Sequence, residues 1–156
     1  MIDYVVDTAI LLSIYEASTK LVSKNVEFVQ KAGLSNQQFI ILIHLAKDPN
    51  LPYLAREQHN KPMMASELAE SMGVTRANIT NLLTGMMAKD LIVQVEDKND
   101  RRIKRLTLTE KGEAVIVGLQ QGRQVSNQQN LKGFSEEEKK QFLSFLQRTT
   151  HNIMNT

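Results

Sequence analysis

Residues 65–84, ASELAESMGVTRANITNLLT, constrain the fold of this chain more than any other segment. Two helical stretches meet there at Gly73, in a turn where a positive φ costs little only for glycine. Ala69 is small enough to let two helices cross closely, and apolar residues are spaced to form a plug between them: Leu68, Met72, Val74, Ile79 and Leu82. Because these demands are met together, in order and in register, the segment predicts a helix-turn-helix.

The second helix of this motif, predicted over about residues 75–88, has two unlike faces. Apolar residues follow the i, i+3, i+4, i+7 spacing and must face the core: Ile79, Leu82, Leu83 and Met86. The opposite face is uncharged and rich in hydrogen-bonding groups: Ala77, Asn78, Thr80, Asn81 and Thr84. Such a face suits a major groove, since asparagine can bond adenine and threonine can bond a base or a phosphate. The alternative is that these residues only solvate a surface helix.

A β-hairpin is predicted over about residues 93–107, with its tip near Asp97 to Arg101, because apolar and polar residues alternate on both sides of a turn-forming stretch. Four of the five residues at 101–105 are basic. Residues 76–106 carry seven basic and four acidic groups, a net +3, whereas the rest of the chain sums to −1. This charge predicts a wing that contacts phosphates and reaches a minor groove. A solvated edge strand, charged against aggregation, is the alternative.

Long amphipathic helices are predicted on both sides of this region. The first covers residues 2–31, and a capping box at Ser35–Gln38 opens a second helix that is apolar almost all round. After the hairpin, Thr109 caps a helix to about Lys132, and a second capping box at 135–138 opens the last helix. The terminal helices carry apolar faces that a domain this small would struggle to cover alone, which predicts a homodimer.

Composition excludes several kinds of protein. The chain has no cysteine, which removes thiol nucleophiles, disulfides, iron–sulfur clusters and cysteine-ligated zinc. It shows neither a Gly-rich phosphate loop nor a nucleophile elbow, so we expect no enzyme, no catalytic residue and no cofactor. The three histidines, His44, His59 and His151, lack the spacing of a metal site. Short apolar runs and an N-terminus unlike a signal peptide predict a soluble, cytoplasmic protein.

The segment from Pro49 to Pro62 is polar in its middle and predicts a loop or a short extra turn. An aromatic carboxylate could be held by four residues together: Tyr15, His44, Tyr53 and Arg56. A histidine in an apolar helix is more often a satisfied core residue, however, so the residues of an effector site stay unassigned.

The chain resembles the MarR family of winged helix-turn-helix regulators over nearly its whole length. The resemblance is carried by SELAESMGVTRANITNLLTGMMAKDLI, by DKNDRRIKRLTLTEKGEAV and by GFSEEEKKQFLSFL. Most specific are Asp100–Arg102 and Leu108–Gly112, which are similar to the family's wing signature of Asp-x-Arg and a downstream Leu-Thr-x-x-Gly. The segment from Pro49 to Pro62 departs from the pattern, because it is longer than the family's usual connection.

The resemblance implies a mainly α fold with a small β-hairpin wing, an α+β winged helix-turn-helix with long N- and C-terminal dimerisation helices. Residues 1–34 and 110–156 would form the dimerisation region, and residues 35–109 the DNA-binding lobe, within one compact domain. It also implies an obligate homodimer on a pseudo-palindromic double-stranded operator, with Asp100 orienting the wing and Arg102 entering the minor groove. Family members often respond to phenolic or other aromatic acids, so a small organic effector is an expected partner and a membrane is not.

The predicted DNA-binding residues lie on the second helix and the wing: Thr75, Arg76, Ala77, Asn78, Thr80, Asn81, Thr84, Asp100, Arg101, Arg102 and Lys104. Together these features predict a ligand-responsive transcriptional repressor. Two other interpretations stay open. One is a winged-helix module for protein–protein association, against which the basic residues at 101–105 argue. The other is an activator, or a DNA binder of low specificity, instead of a repressor.

Overall fold

The structure is a computed structural model that describes residues 2–51 and 62–155. Helices and strands follow one another in these residues as α1 (Val6–Gln30), α2 (Asn36–Leu45), α3 (Ala65–Met72), α4 (Arg76–Ala88), β1 (Ile92–Glu96), β2 (Lys104–Leu108), α5 (Glu110–Asn130) and α6 (Glu136–Met154). The predicted fold class, mainly helical with one small hairpin, is confirmed. The loop predicted from Pro49 to Pro62 falls largely outside the described residues.

Side-chain caps explain where several helices begin. The Ser35 hydroxyl accepts from the Gln38 backbone N–H, and the Gln38 side chain accepts from the Ser35 N–H; the box at 135–138 repeats this arrangement. Thr109 Oγ1 accepts from the Gly112 N–H at 3.1 Å and caps α5. Helix α1 starts at Val6, so the predicted start at residue 2 is wrong; Val5 is extended and provides no side-chain cap.

The core lies between α2, the helix-turn-helix and the base of the hairpin. Its fully buried side chains come from five elements and the segment before α3: Val29, Ile41, Leu42, Met63, Leu68, Ile79, Met86 and Leu106. This confirms both the buried second helix and the core-facing side of α4. Ala69 is also buried, as expected of the residue at the crossing of α3 and α4.

The hairpin is tied to its surroundings at the base. Strands β1 and β2 pair antiparallel, with Ile92 opposite Leu108 and Glu96 opposite Lys104. The connection therefore extends to Ile103, slightly beyond the predicted tip at 97–101. The Leu106 N–H donates to the Met63 carbonyl oxygen at 2.8 Å, which joins β2 to the segment that leads into α3.

Much of α1 and α6 is uncovered in the single chain. Exposed apolar side chains line both helices: Ile10, Leu11, Leu12, Tyr15, Leu21, Phe142, Leu143, Phe145 and Ile153. Near its C-terminus, by contrast, α1 packs Val29 and Phe28 into or against the core. The apolar faces predicted for the terminal helices are thus present, and in one chain they face solvent.

Among the described residues, no helix combines the length and the apolar character needed to cross a membrane.

Candidate nucleic-acid interface

The turn between α3 and α4 sets the direction of α4. Gly73 is left-handed, with φ 64° and ψ 33°, as the sequence predicted for a glycine in the turn. The N–H of Val74 donates to the Ala69 carbonyl at 3.0 Å and closes the end of α3. Thr75 Oγ1 then accepts from the Asn78 N–H at 3.2 Å and caps α4. Two local signals, a glycine and a cap, therefore aim this helix.

Helix α4 buries one face and exposes the other. Ile79, Leu83 and Met86 are buried, and Leu82 packs partly buried against the same core. The exposed residues include five of the predicted DNA-binding set: Arg76, Ala77, Thr80, Asn81 and Thr84. Asn78, predicted beside them, is half-buried, and Thr75 is exposed at the start of the helix. The exposed face of α4 that follows Arg76 is therefore an uncharged strip of amide and hydroxyl side chains, formed by Thr80, Asn81 and Thr84.

The two threonines on this strip have defined hydrogen-bonding roles. Thr80 Oγ1 donates to the Arg76 carbonyl at 2.8 Å, and Thr84 Oγ1 donates to the Thr80 carbonyl at 2.9 Å. Because each hydroxyl proton is directed at the helix backbone, the oxygen lone pairs are what the side chains present outward. In this arrangement the hydroxyl oxygens of Thr80 and Thr84 are available as hydrogen-bond acceptors.

At the tip of the hairpin, Asp100 holds Arg102. Asp100 Oδ1 accepts from the Arg102 backbone N–H and from Nε, both at 3.0 Å, and Oδ2 accepts from Nη2 at 2.8 Å. Arg102 donates hydrogen bonds to the Asp100 carboxylate, and these bonds lower the pKa of Asp100 and raise the pKa of Arg102. The Arg102 side chain is still 91% exposed. It is therefore a charged, solvent-facing group whose direction is set by a bidentate contact.

The basic residues at 101–105 do not form one uniform patch. Arg101 and Arg102 are exposed at the tip. Lys104 reaches across the hairpin to Glu96 at 2.7 Å. Arg105 is paired with Asp97 at 2.5 Å and its side chain is only 15% exposed. The predicted cluster of four cations thus divides into two at the tip, one shared across the strands and one turned into the protein.

Sequence reasoning missed the pairing of Arg105 with Asp97. The signal was present in part, because facing positions of an antiparallel hairpin have a constant sum of residue numbers. Glu96 lies opposite Lys104, whereas Arg105 lies opposite Val95 and is a diagonal neighbour of Asp97, two positions further along. Long side chains can reach such a diagonal neighbour. Counting charges along the chain could not distinguish an outward-facing cation from a paired one.

A cavity of about 920 Å³ is lined by residues of α1, α2, α5 and α6 and of the segment that follows α2. Phe28, Ile40 and Ile43 form part of its apolar wall, and Arg123 and Asp48 lie on its lining. The Arg123 guanidinium donates to Asp48 at 2.6 Å and so joins α5 to the segment that follows α2. Burial would raise the pKa of Asp48, but hydrogen bonds from Asn50 and Arg123 outweigh it and keep that pKa below its ordinary value.

The residues considered for an aromatic carboxylate are only partly brought together. His44 lines the cavity, and its ring is satisfied by the Ile40 carbonyl at 2.8 Å and Ser71 Oγ at 3.1 Å, as expected of a core histidine. Tyr15 is exposed on α1. Tyr53 and Arg56 lie outside the described residues, as does His59 of the histidine set. Within residues 2–51 and 62–155, no three His, Asp or Glu side chains are arranged to hold a metal ion.

These features define a winged helix-turn-helix protein, and comparison with known proteins gives its family. The MarR family profile matches residues 32–103. The HTH-type transcriptional regulator YybA of Bacillus subtilis is 31% identical over 101 residues, which cover 65% of this chain and 67% of that protein. YxaD, another HTH-type transcriptional regulator of Bacillus subtilis, is 33% identical over 87 residues, covering 56% of this chain and 61% of that protein. The chain therefore belongs to the MarR family of transcriptional regulators.

Solved structures agree with this assignment. The transcriptional regulator SlyA is 26% identical, with a TM-score of 0.75 over 92% of this chain and 93% of that one. A MarR-family transcriptional regulator from Listeria monocytogenes in complex with a 26mer DNA has the same fold, at 23% identity and a TM-score of 0.76 over 99% of this chain and 91% of that one. Members of this family are transcriptional regulators and not enzymes, as the sequence indicated.

Proposed function

We propose that this protein is a homodimeric transcriptional repressor that binds a pseudo-palindromic operator in double-stranded DNA. The observation that carries the proposal is the exposed strip of α4, with Thr80, Asn81 and Thr84 facing solvent behind a Gly73 turn. Small hydrogen-bonding side chains on the second helix of this motif suit the edges of bases in a major groove. A target of this kind would place the protein in the cytoplasm.

Each part of the interface has a proposed role. Helix α4 and its cap would enter the major groove with Thr75, Arg76, Ala77, Asn78, Thr80, Asn81 and Thr84. At the wing, Asp100 would direct Arg102 into the minor groove, while Arg101 and Lys104 would contact phosphates. Lys104 already pairs with Glu96 at 2.7 Å, and an ammonium has donors for both partners. The narrow minor groove of A·T-rich DNA attracts a cation such as the Arg102 guanidinium.

The dimer is proposed from the uncovered apolar faces of α1 and α6. A monomer that exposed both stripes would be prone to association, whereas a two-fold axis would bury them against each other. Residues 1–34 and 110–156 would then form the dimerisation region, and residues 35–109 the DNA-binding lobe. Two α4 helices related by the axis should lie about 34–36 Å apart, one turn of the duplex.

The repressor is proposed to respond to a small aromatic or other organic effector. Support comes from the cavity of about 920 Å³ between the terminal helices and the DNA-binding lobe, which has an apolar wall formed in part by Phe28, Ile40 and Ile43. A ligand that binds one spacing of the two lobes better than the other shifts the equilibrium between the spacings. Ligand binding would thereby release DNA.

Fluorescence anisotropy tests the proposal. A labelled duplex from the region upstream of the protein's own coding sequence is compared with a scrambled duplex at two salt concentrations. Tight, salt-dependent binding that prefers the native duplex supports a specific regulator. Absence of salt-dependent binding to either duplex would favour the protein-association module. A promoter reporter with and without the protein then separates a repressor from an activator.

A further inference from the structure

We infer that Arg105 is a positioning residue of the wing, which holds the wing tip and the start of the helix-turn-helix in one arrangement and does not itself contact DNA. The inference rests on the proposed function, because it concerns the geometry of the same interface. The inference gives Arg105 a different role from Arg101, Arg102 and Lys104, which carry the same charge but are exposed.

The first contact of Arg105 is with the tip. Its Nε donates to Asp97 Oδ2 at 2.5 Å, and the side chains of both residues are mostly covered, at 15% and 12% exposed. Asp97 Oδ1 accepts from the backbone N–H groups of Asn99 at 2.8 Å and Asp100 at 3.3 Å. One carboxylate thus shapes the turn that presents Asp100, and Arg105 holds that carboxylate in place.

The second contact of Arg105 is with the entry to α3. Its Nη1 donates to the Pro62 carbonyl at 2.8 Å. The neighbouring Met63 carbonyl accepts from the Leu106 N–H at 2.8 Å, so two successive carbonyls bond to two successive residues of β2. Met63 is buried, and Met64 is the N-cap position of α3. The wing is therefore attached to the beginning of the helix-turn-helix through Arg105.

The planar guanidinium explains why arginine occupies this position. It donates in two directions at once from a rigid group, to a carboxylate on one side and a carbonyl on the other. A lysine would keep the positive charge and could donate to two partners, but its donors share one nitrogen on a flexible stem, so it lacks the fixed separation that Nε and Nη1 give to the two contacts. Charge alone would be useful for a phosphate contact, whereas positioning needs the two-sided geometry.

The first arm of the test compares three variants with the parent by anisotropy on the upstream duplex, across a series of salt concentrations. Arg105→Gln and Arg105→Lys should both bind about tenfold more weakly, the size expected from losing one charge-assisted hydrogen bond, with the parent's salt slope unchanged. Arg102→Ala, which removes a proposed DNA contact, should instead make the slope shallower by about 1. Binding of Arg105→Lys at the parent's affinity, or a shallower slope for Arg105→Gln, would mean that Arg105 acts as a cation on DNA and would overturn the inference.

A matched pair of carboxylates provides the second arm. Asp97→Asn and Glu96→Gln each remove one negative charge from adjacent positions of the wing. Simple electrostatics predicts tighter DNA binding for both variants, since less negative charge faces the phosphates. Positioning predicts tighter binding for Glu96→Gln only and about fivefold weaker binding for Asp97→Asn, because Asp97 forms charge-assisted hydrogen bonds. Equal strengthening by the two changes would refute the role of the Asp97–Arg105 pair.

Hydrogen exchange without DNA keeps this inference separate from the proposed function. Arg105→Gln and Asp97→Asn should speed exchange of the amides of residues 97–103, whereas Glu96→Gln should leave them as in the parent. Unchanged exchange in the first two variants would contradict the positioning role, whatever the protein binds. If the parent protein failed to prefer its upstream duplex but the exchange results held, the proposed operator would be at fault and the wing geometry would stand.

Discussion

At the scale of single residues, Asn81 is the side chain that we expect to contribute most to base preference. It lies on the exposed strip of α4 between Thr80 and Thr84, whose hydroxyl protons are directed at the helix backbone. An amide offers a donor and an acceptor together, which is the pattern that adenine presents in the major groove. Asn81 therefore complements two acceptor-like neighbours.

We expect Asn81→Ala to relax base preference at one position of each half-site, by about 1–3 kcal/mol for a good bidentate contact. Competition anisotropy with operators that each carry one changed base pair measures this. Gln121→Ala, an exposed change on α5, is the control and should keep the parent's preferences. If Asn81→Ala kept the base preference of the parent, Asn81 would not be one of the residues that contact bases.

Asp97 gives a second prediction, on stability against pH. The hydrogen bond from Arg105, with help from the Asn99 backbone, lowers the pKa of Asp97 to about 2. An unfolded aspartate titrates near about 3.9, so the contribution of Asp97 to folding is complete above that pH and is lost as the pH falls toward about 2. The stability difference between the parent and Asp97→Asn should therefore shrink as the pH drops from 4 to 2. Urea midpoints across that range measure it, and a constant difference would contradict the assignment.

At the scale of elements, the junction between α4 and α5 matters most. Three hydrogen bonds join the turn after α4 to the start of α5: the Thr109 N–H to the Leu91 carbonyl at 3.1 Å, Thr109 Oγ1 to the Asp90 carbonyl at 2.6 Å, and Lys111 Nζ to the Lys89 carbonyl at 2.9 Å. Gly112 lies at the closest point, where a Cβ would overlap the Leu91 carbonyl oxygen. The start of α5 thus packs against the turn that follows α4, and this contact links the two proposed regions of the protein.

Two glycines of α5 allow a matched test of that junction. Gly112→Ala should destabilise the protein by about 1–3 kcal/mol, because backbone must move to admit the methyl group. Gly118→Ala, in the same helix with open space around it, should stabilise it by about 0.5–1 kcal/mol. Urea denaturation of both variants gives the two values. Equal effects would mean that helix propensity, and not the contact with Leu91, governs the site.

At the scale of the whole molecule, the exposed faces of α1 and α6 decide the proposed assembly. Phe145 is 54% exposed on α6, and Phe142, Leu143 and Ile153 are exposed on the same helix. These residues cannot all lie in water without cost, since each large apolar side chain gains about 1.5–3 kcal/mol on burial. A second copy of the chain would supply the missing cover.

We expect Phe145→Glu to raise the dimer dissociation constant by about a hundredfold, as loss of a buried aromatic anchor does. Operator affinity should fall with it, because two half-sites are then no longer bound together. Sedimentation equilibrium measures the association. Gln141→Glu, at an exposed polar position of the same helix, should leave it unchanged. A parent that sediments as a monomer, or a variant that remains a dimer, would contradict the proposed assembly.

The local features of the fold could be predicted from the chain because they depend on neighbours in sequence. The capping boxes at Ser35 and Ser135, the left-handed turn at Gly73 and the buried side of α4 each follow from residues a few positions apart. The predicted start of α1 was wrong because it was placed by a local pattern alone. Apolar spacing extends to residue 2, but Val5 is extended and brings no side-chain cap.

What the sequence by itself determined is the helix-turn-helix, the buried and exposed sides of its second helix, the hairpin and the family. Only the tertiary structure decided which cations of the wing are exposed and which are paired, and which residue of α5 meets the segment after α2. Arg102 and Arg105 are identical in type and three positions apart, yet one is solvent-facing and the other is held between Asp97 and the Pro62 carbonyl. Arg123 likewise meets Asp48 across 75 positions of the chain. Helix periodicity and caps are short-range, whereas an ion pair depends on which strands and helices pack together, and packing exists only in three dimensions.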